Sequence, residues 1–117
     1  MNILVVDDEI TLAKILVRVL KKINNAYTIY RANTVQEAVK LAEEHHIDLL
    51  LTDVCLPSHS ESKLVVNKVK EYNTNVKVIY MSGFIYDNHH NLSPLLTKPF
   101  SREELKQLLK DKLNEVQ

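Results

Sequence analysis

The stretch from Ile47 to Pro57, Ile-Asp-Leu-Leu-Leu-Thr-Asp-Val-Cys-Leu-Pro, constrains this chain more than any other. Leu49, Leu50 and Leu51 form an unbroken apolar run. A strand covered on both faces by helices reads this way, whereas a half-exposed strand alternates. The run ends at Thr52 and then at a carboxylate, Asp53. A charge directly after a buried strand is poorly solvated and needs a reason to be there. Pro57 marks a turn and keeps Leu56 out of the helical region. Ligands bind at the carboxyl ends of strands in an open parallel sheet. Asp53 is therefore the leading candidate for the chemically active residue.

The rest of the chain repeats this grammar. Ile3 to Val6 is a β-branched apolar run ending in Asp7-Asp8-Glu9. Ile10 to Ile23 carries Ala13, Leu16, Val17 and Leu20 at helical spacing. Tyr27 to Tyr30 is a second strand. Thr34 and Glu37 form a capping box for a helix to about Glu44, with Ala38, Leu41 and Ala42 inward. The third strand is Asp48 to Thr52. Ser58 to Ser62 reads as a polar loop before a helix with Val65, Val69 and Tyr72 at helical spacing. Val76 to Met81 is a fourth strand, ending at Ser82-Gly83, and Leu95 to Thr97 a fifth, ending at Lys98-Pro99-Phe100. Ser101 and Glu104 form another capping box, followed by a helix with Leu105, Leu108, Leu109 and Leu113 on one face. The twelve residues from Gly83 to Pro94 are near the minimum for a crossover and poor in helix formers. They predict a fourth helix of one or two turns, or an irregular connection. Alternating strands and helices predict a single α/β domain over residues 1–117 with a parallel sheet.

Composition removes several function classes. Fifteen Lys and Arg balance fifteen Asp and Glu, which argues against a generic polyanion binder, so no nucleic-acid partner is expected, with local charged patches left open. No apolar run approaches the roughly 20 residues of a membrane span, and no signal peptide is expected because Met1 leads directly into a strand. Cys55 is the sole cysteine, so no internal disulfide forms and a cytoplasmic setting is expected. Gly83 is the only glycine, which excludes Gly-rich phosphate cradles. His45-His46 and His89-His90 are adjacent pairs without a third ligand at zinc spacing, and are read as solvated.

Four strands end in polar residues that could converge: Asp7-Asp8, Asp53, Ser82 and Lys98. Carboxylates brought close repel unless a cation holds them. Oxygen ligands completed by water suit Mg²⁺. An ion, an ammonium and a hydroxyl around one carboxylate form a site for phosphoryl oxygens, and a carboxylate can serve as the nucleophile.

These residues, in this order, resemble the receiver domain of two-component response regulators. Asp7-Asp8, Asp53 with Pro57 four residues on, Ser82, and Lys98-Pro99-Phe100 carry the resemblance across almost the whole chain. It implies a doubly wound, flavodoxin-like sheet of five strands in the order 2-1-3-4-5. It implies that Asp53 is the phosphoacceptor, that Asp7 and Asp8 are the acidic pair, and that Cys55 ligates Mg²⁺ through its backbone carbonyl. Ser82 takes the place of the switch hydroxyl and Lys98 that of the phosphate-contacting lysine. The implied partners are a histidine kinase or histidine phosphotransferase and a downstream protein, with dimerisation left open. The implied chemistry is confined to the chain's own phosphorylation and dephosphorylation.

Departures from the family pattern raise an alternative. Leu95 stands three residues before Lys98, where the family usually has an aromatic residue that moves inward on phosphorylation. Glu61 stands in the segment after strand 3 where a glycine is usual, and the connection from strand 4 to strand 5 is short. The alternative is a pseudo-receiver, a docking module whose partner binding ignores phosphate. An aspartyl phosphatase is disfavoured because Cys55 occupies the place of the second acid that would activate water.

Overall fold

Strands and helices alternate from the first residues. The computed structural model describes residues 1–53, 59–82, 95–97 and 100–114. The elements are β1 (Asn2–Val6), α1 (Ile10–Ile23), β2 (Thr28–Ala32), α2 (Val35–Glu44), β3 (Leu49–Asp53), α3 (His59–Tyr72), β4 (Lys77–Ser82), β5 (Leu95–Thr97) and α4 (Arg102–Asn114). They build one sheet in the order β2-β1-β3-β4-β5, and every pairing is parallel. The stretch 83–94, where a short fourth helix is expected, lies outside the described residues. The C-terminal helix of the sequence reading is therefore α4.

The alternation of side chains along the central strands creates two cores. Leu4, Val6 and Leu50 face a layer that includes Ala38 and Ala42 of α2 and Val65 and Val69 of α3. Ile3, Val5, Leu49 and Leu51 face the opposite layer, with Leu16 and Leu20 of α1 and Leu105 and Leu109 of α4. Each face of β1 and β3 is sealed, which is why the leucine run is continuous. Burying a Leu or Ile side chain is worth roughly 1.5–3 kcal/mol.

The helix ends follow their capping signals. Thr34 Oγ1 accepts from the Glu37 N–H at 3.2 Å, and Glu37 Oε1 accepts from the Asn33 N–H at 3.3 Å. At α4 the box is reciprocal: Ser101 Oγ accepts from Glu104 N–H at 3.1 Å, and Glu104 Oε1 accepts from Ser101 N–H at 3.3 Å. Glu9 is the N-cap residue of α1, and its carbonyl accepts from the Ala13 N–H at 3.0 Å.

Several boundaries differ from the sequence reading. Strand β2 runs on to Ala32, whose side chain is fully buried. Strand β3 includes Asp53, and β4 includes Ser82. Helix α3 begins at His59, so Glu61 lies in its first turn and not in a loop. The polar run Ser58 to Ser62 looks like a turn, yet an acid at a helix N-terminus is stabilised by the dipole. Ser62 is fully buried, and its hydroxyl has no hydrogen-bond partner among the described residues. Tyr72 matches helical spacing but is 50% exposed, because it sits in the final turn of α3.

The first histidine pair is engaged. The His45 ring stacks on Tyr30 with centroids 4.2 Å apart. His46 Nε2 lies 3.2 Å from Asp48 Oδ1, and Asp48 Oδ2 accepts from the Asn2 N–H at 2.8 Å. Together with the Asn73 side chain, which donates to the Ile47 carbonyl at 2.7 Å, these contacts bind the amino end of the sheet to the end of α3. His89-His90 lies outside the described residues.

Leu51→Ala removes a side chain that is fully buried beneath α1 and α4. Denaturant unfolding is expected to show a loss of about 2–5 kcal/mol. Burial raises the pKa of Tyr80, half-buried on β4, above the ordinary 10.0. The folded protein then holds that proton more tightly than the unfolded chain does. Its contribution to stability is full below about pH 10 and is lost as pH rises through the folded-state value. Denaturation midpoints measured across alkaline pH are expected to fall less steeply in Tyr80→Phe than in the parent chain.

Candidate functional site

The parity that divides the two cores also builds the site. Along β1, Ile3 and Val5 face the α1 and α4 layer, and Asp7 is the next position in that series. Along β3, Leu49 and Leu51 face the same layer, and Asp53 is next. The register pairs Val6 with Thr52, so one step further on Asp7 and Asp53 emerge side by side at the carboxyl edge of the sheet. Asp7 is 1% exposed and Asp53 7%, whereas Asp8 is exposed. Carboxylate oxygens of Asp7, Asp8 and Asp53 all lie within 4.8 Å of one another.

Hydrogen bonds hold this edge in shape. The Asp7 N–H donates to the Ala32 carbonyl at 3.1 Å, which carries the β1–β2 ladder one residue past the strand. Asp7 Oδ1 accepts from the Glu9 N–H at 2.9 Å, which folds the backbone back toward α1. The buried Thr52 hydroxyl donates to the Asp53 carbonyl at 3.2 Å. Asp53 is the register partner of Met81 on β4, so Ser82 ends that strand one position beyond the acid, opposite Thr97 of β5.

Of the residues singled out from sequence, Asp7, Asp8 and Asp53 meet, and Ser82 is at the same edge on the neighbouring strand. Lys98 and Cys55 lie outside the described residues. Glu9 contributes its backbone N–H to the site, which no side-chain pattern signals. A cavity of about 190 Å³ opens beside Asp7, lined by apolar residues of α1 together with Met81, Phe100 and Arg102. Arg102 carries no signal in the sequence beyond its place in the first turn of α4.

The donor set suits a small hard cation. An ion with oxygen ligands at about 2.1 Å places opposite ligands about 4.2 Å apart. Oxygens already within 4.8 Å need only a small side-chain adjustment to share it. The carboxylates otherwise repel one another.

A family model described as the response regulator receiver domain matches residues 3–110. The chain belongs to this family. Among the receiver's curated relatives, the two-component response regulator ARR11 of Arabidopsis thaliana is 30% identical over 126 residues, covering 99% of this chain and 24% of that protein. The transcriptional regulatory protein MalR of Bacillus subtilis is 30% identical over 82 residues, covering 70% of this chain and 34% of that protein. The receiver thus spans about a quarter to a third of the length of these relatives. Its fold matches the receiver domain from the hybrid histidine kinase CckA with a TM-score of 0.79 and 28% identity, over 97% of this chain and 99% of that one. A CheY-like receiver from Methanospirillum hungatei shares the fold with a TM-score of 0.82 at 24% identity, over 97% of this chain and 94% of that one. No helix among the described residues is long and apolar enough to cross a membrane.

Adding a divalent cation is expected to raise the thermal midpoint, since an ion that binds only the folded receiver stabilises it by mass action. Scanning calorimetry with and without Mg²⁺ measures this. The rise is expected to shrink by more than half in Asp8→Asn, which removes one charge from the cluster.

Proposed function

We propose that this receiver is a Mg²⁺-dependent phosphoacceptor of a two-component phosphorelay, with Asp53 as the acceptor. The observation that carries the reading is the meeting of Asp7, Asp8 and Asp53 at the carboxyl edge of the sheet, with Asp53 nine-tenths buried at the end of a strand. Such a carboxylate is fixed in position and shielded from bulk water, as an acceptor in a displacement reaction needs to be.

In this reading an oxygen of Asp53 attacks the phosphorus of a phosphohistidine on a histidine kinase or phosphotransferase. The P–N bond breaks, the P–O bond forms, and the imidazole leaves. Asp7, Asp8, Asp53 and the backbone carbonyl of Cys55 would hold Mg²⁺, which supplies neutralisation of charge on the phosphoryl oxygens. Ser82 would donate to one of those oxygens and Lys98 would pair with another. Water later attacks the acyl phosphate, the P–O bond to Asp53 breaks, inorganic phosphate leaves and the carboxylate is restored. The chain acts as one receiver unit over 1–117, in the cytoplasm, and passes its signal on through protein contacts. The likeness to a receiver from a hybrid histidine kinase supports the choice of donor.

Leu95 favours a second reading. It is the register partner of Tyr80 on β4, in the strand just before Lys98, and it is aliphatic where the family usually carries an aromatic residue. A receiver without that readout could bind its partner regardless of phosphate. Equal affinity for the partner with and without beryllofluoride would select this pseudo-receiver.

Incubation with acetyl phosphate or phosphoramidate and Mg²⁺ is expected to add the mass of one phosphoryl group. The gain is expected to vanish in Asp53→Asn and to slow about a hundredfold in Asp8→Asn. Intact-protein mass spectrometry over time reads both. An unmodified wild-type chain under these conditions would remove the phosphoacceptor reading.

A further inference from the structure

The outer edge of β2 carries a charge pattern that phosphoryl chemistry does not use. A groove of about 290 Å³ is lined by Lys14, Val17 and Arg18 of α1 and by Ile29 and Arg31 of β2. Lys14 and Arg18 are one helical turn apart and share a side of α1. Ile29 and Arg31 share a face of the strand. Helix α1 contains no acid at all, although the charges of the whole chain balance. Among the described residues no ion pair involves Lys14, Arg18 or Arg31, whereas Lys68 and Arg102 each have an acid within 4.0 Å. Three cations thus converge over an apolar floor without a counter-charge.

The backbone supplies an independent observation. Strand β2 is the last in the sheet order. Its Thr28 N–H donates inward to Met1 at 3.0 Å, and its Ala32 carbonyl accepts inward from Asp7 at 3.1 Å. In a parallel pair, alternate residues direct both backbone groups to the same neighbour. Thr28, Tyr30 and Ala32 therefore turn toward β1, and Ile29 and Arg31 turn their N–H and C=O groups outward. The two residues that line the groove are the two that offer open hydrogen bonds. A cation on an edge strand can serve simply to discourage self-pairing. That accounts for Arg31, but not for Lys14 and Arg18 converging on the same groove from a helix.

We infer that the β2 edge accepts an extended acidic segment of a partner protein. The segment adds as a strand beside Thr28–Ala32, with acidic side chains at alternate positions over Lys14, Arg18 and Arg31. Backbone hydrogen bonds give the attachment, and alternate side chains give the selectivity. This goes beyond the phosphoacceptor reading and does not depend on it.

The probe is a short synthetic peptide alternating glutamate with threonine, titrated into the full chain and followed by amide NMR. Binding is expected to shift the Ile29 and Arg31 amides, slow their hydrogen exchange and weaken as salt rises. It is expected to fall at least about tenfold in Arg18→Glu and in Arg31→Glu, with circular dichroism confirming that both variants stay folded. A peptide with N-methylated alternate amides is expected to lose binding at unchanged charge. Shifts confined to other elements, or full binding by the N-methylated peptide, would overturn strand addition. So would binding of a single-stranded oligonucleotide but not of the peptide, or self-association of the chain through β2.

Discussion

Mutual repulsion among Asp7, Asp8 and Asp53 is the constraint that the rest of this fold has to carry. Two of the three are nearly inaccessible to water, so solvent screens them poorly. The arrangement persists because their backbones are not free to move apart. Val6 and Thr52 are locked in register immediately before the acids, inside strands sealed on both faces. The two apolar layers therefore supply the rigidity that holds like charges together. A small cation at that point would lower this repulsion, and the all-oxygen donor set is of the kind that suits hard ions.

Much of this was legible in the chain. The continuity of Leu49, Leu50 and Leu51 announced a strand buried on both sides, and each of the three is fully buried. Ala13, Leu16 and Leu20 at helical spacing marked the inner face of α1, and its bounds Ile10–Ile23 follow from the same pattern. Thr34 and Ser101 showed where two helices begin. The acids of the site were visible because charged residues directly after apolar runs are costly without a purpose.

What escaped the sequence did so for physical reasons. Strand ends are set by ladder hydrogen bonds to neighbours, so Asp53 and Ser82 belong to strands although their polarity suggests otherwise. The start of α3 was hidden because Ser and Glu serve equally in turns and in first helical turns. Tyr72 fits a helical stripe that has already run off the core by the final turn. His45 finds its partner in Tyr30, fifteen positions away, and no local pattern encodes that stack. The outward backbone groups of Ile29 and Arg31 follow from β2 standing at the edge of the sheet, a matter of topology alone.

The odd-numbered series 3, 5, 7 and 49, 51, 53 makes chain length, rather than composition, the quantity the two central strands cannot change. Exchanging Leu49 for Ile or Met leaves every later side chain on its own side. Deleting a single residue inside β3 keeps the strand just as apolar, yet sends the terminal acid into the opposite layer, among alanines and valines. Drift among descendants of this chain should therefore accumulate apolar exchanges in β1 and β3 freely, while insertions and deletions gather in the connections between them.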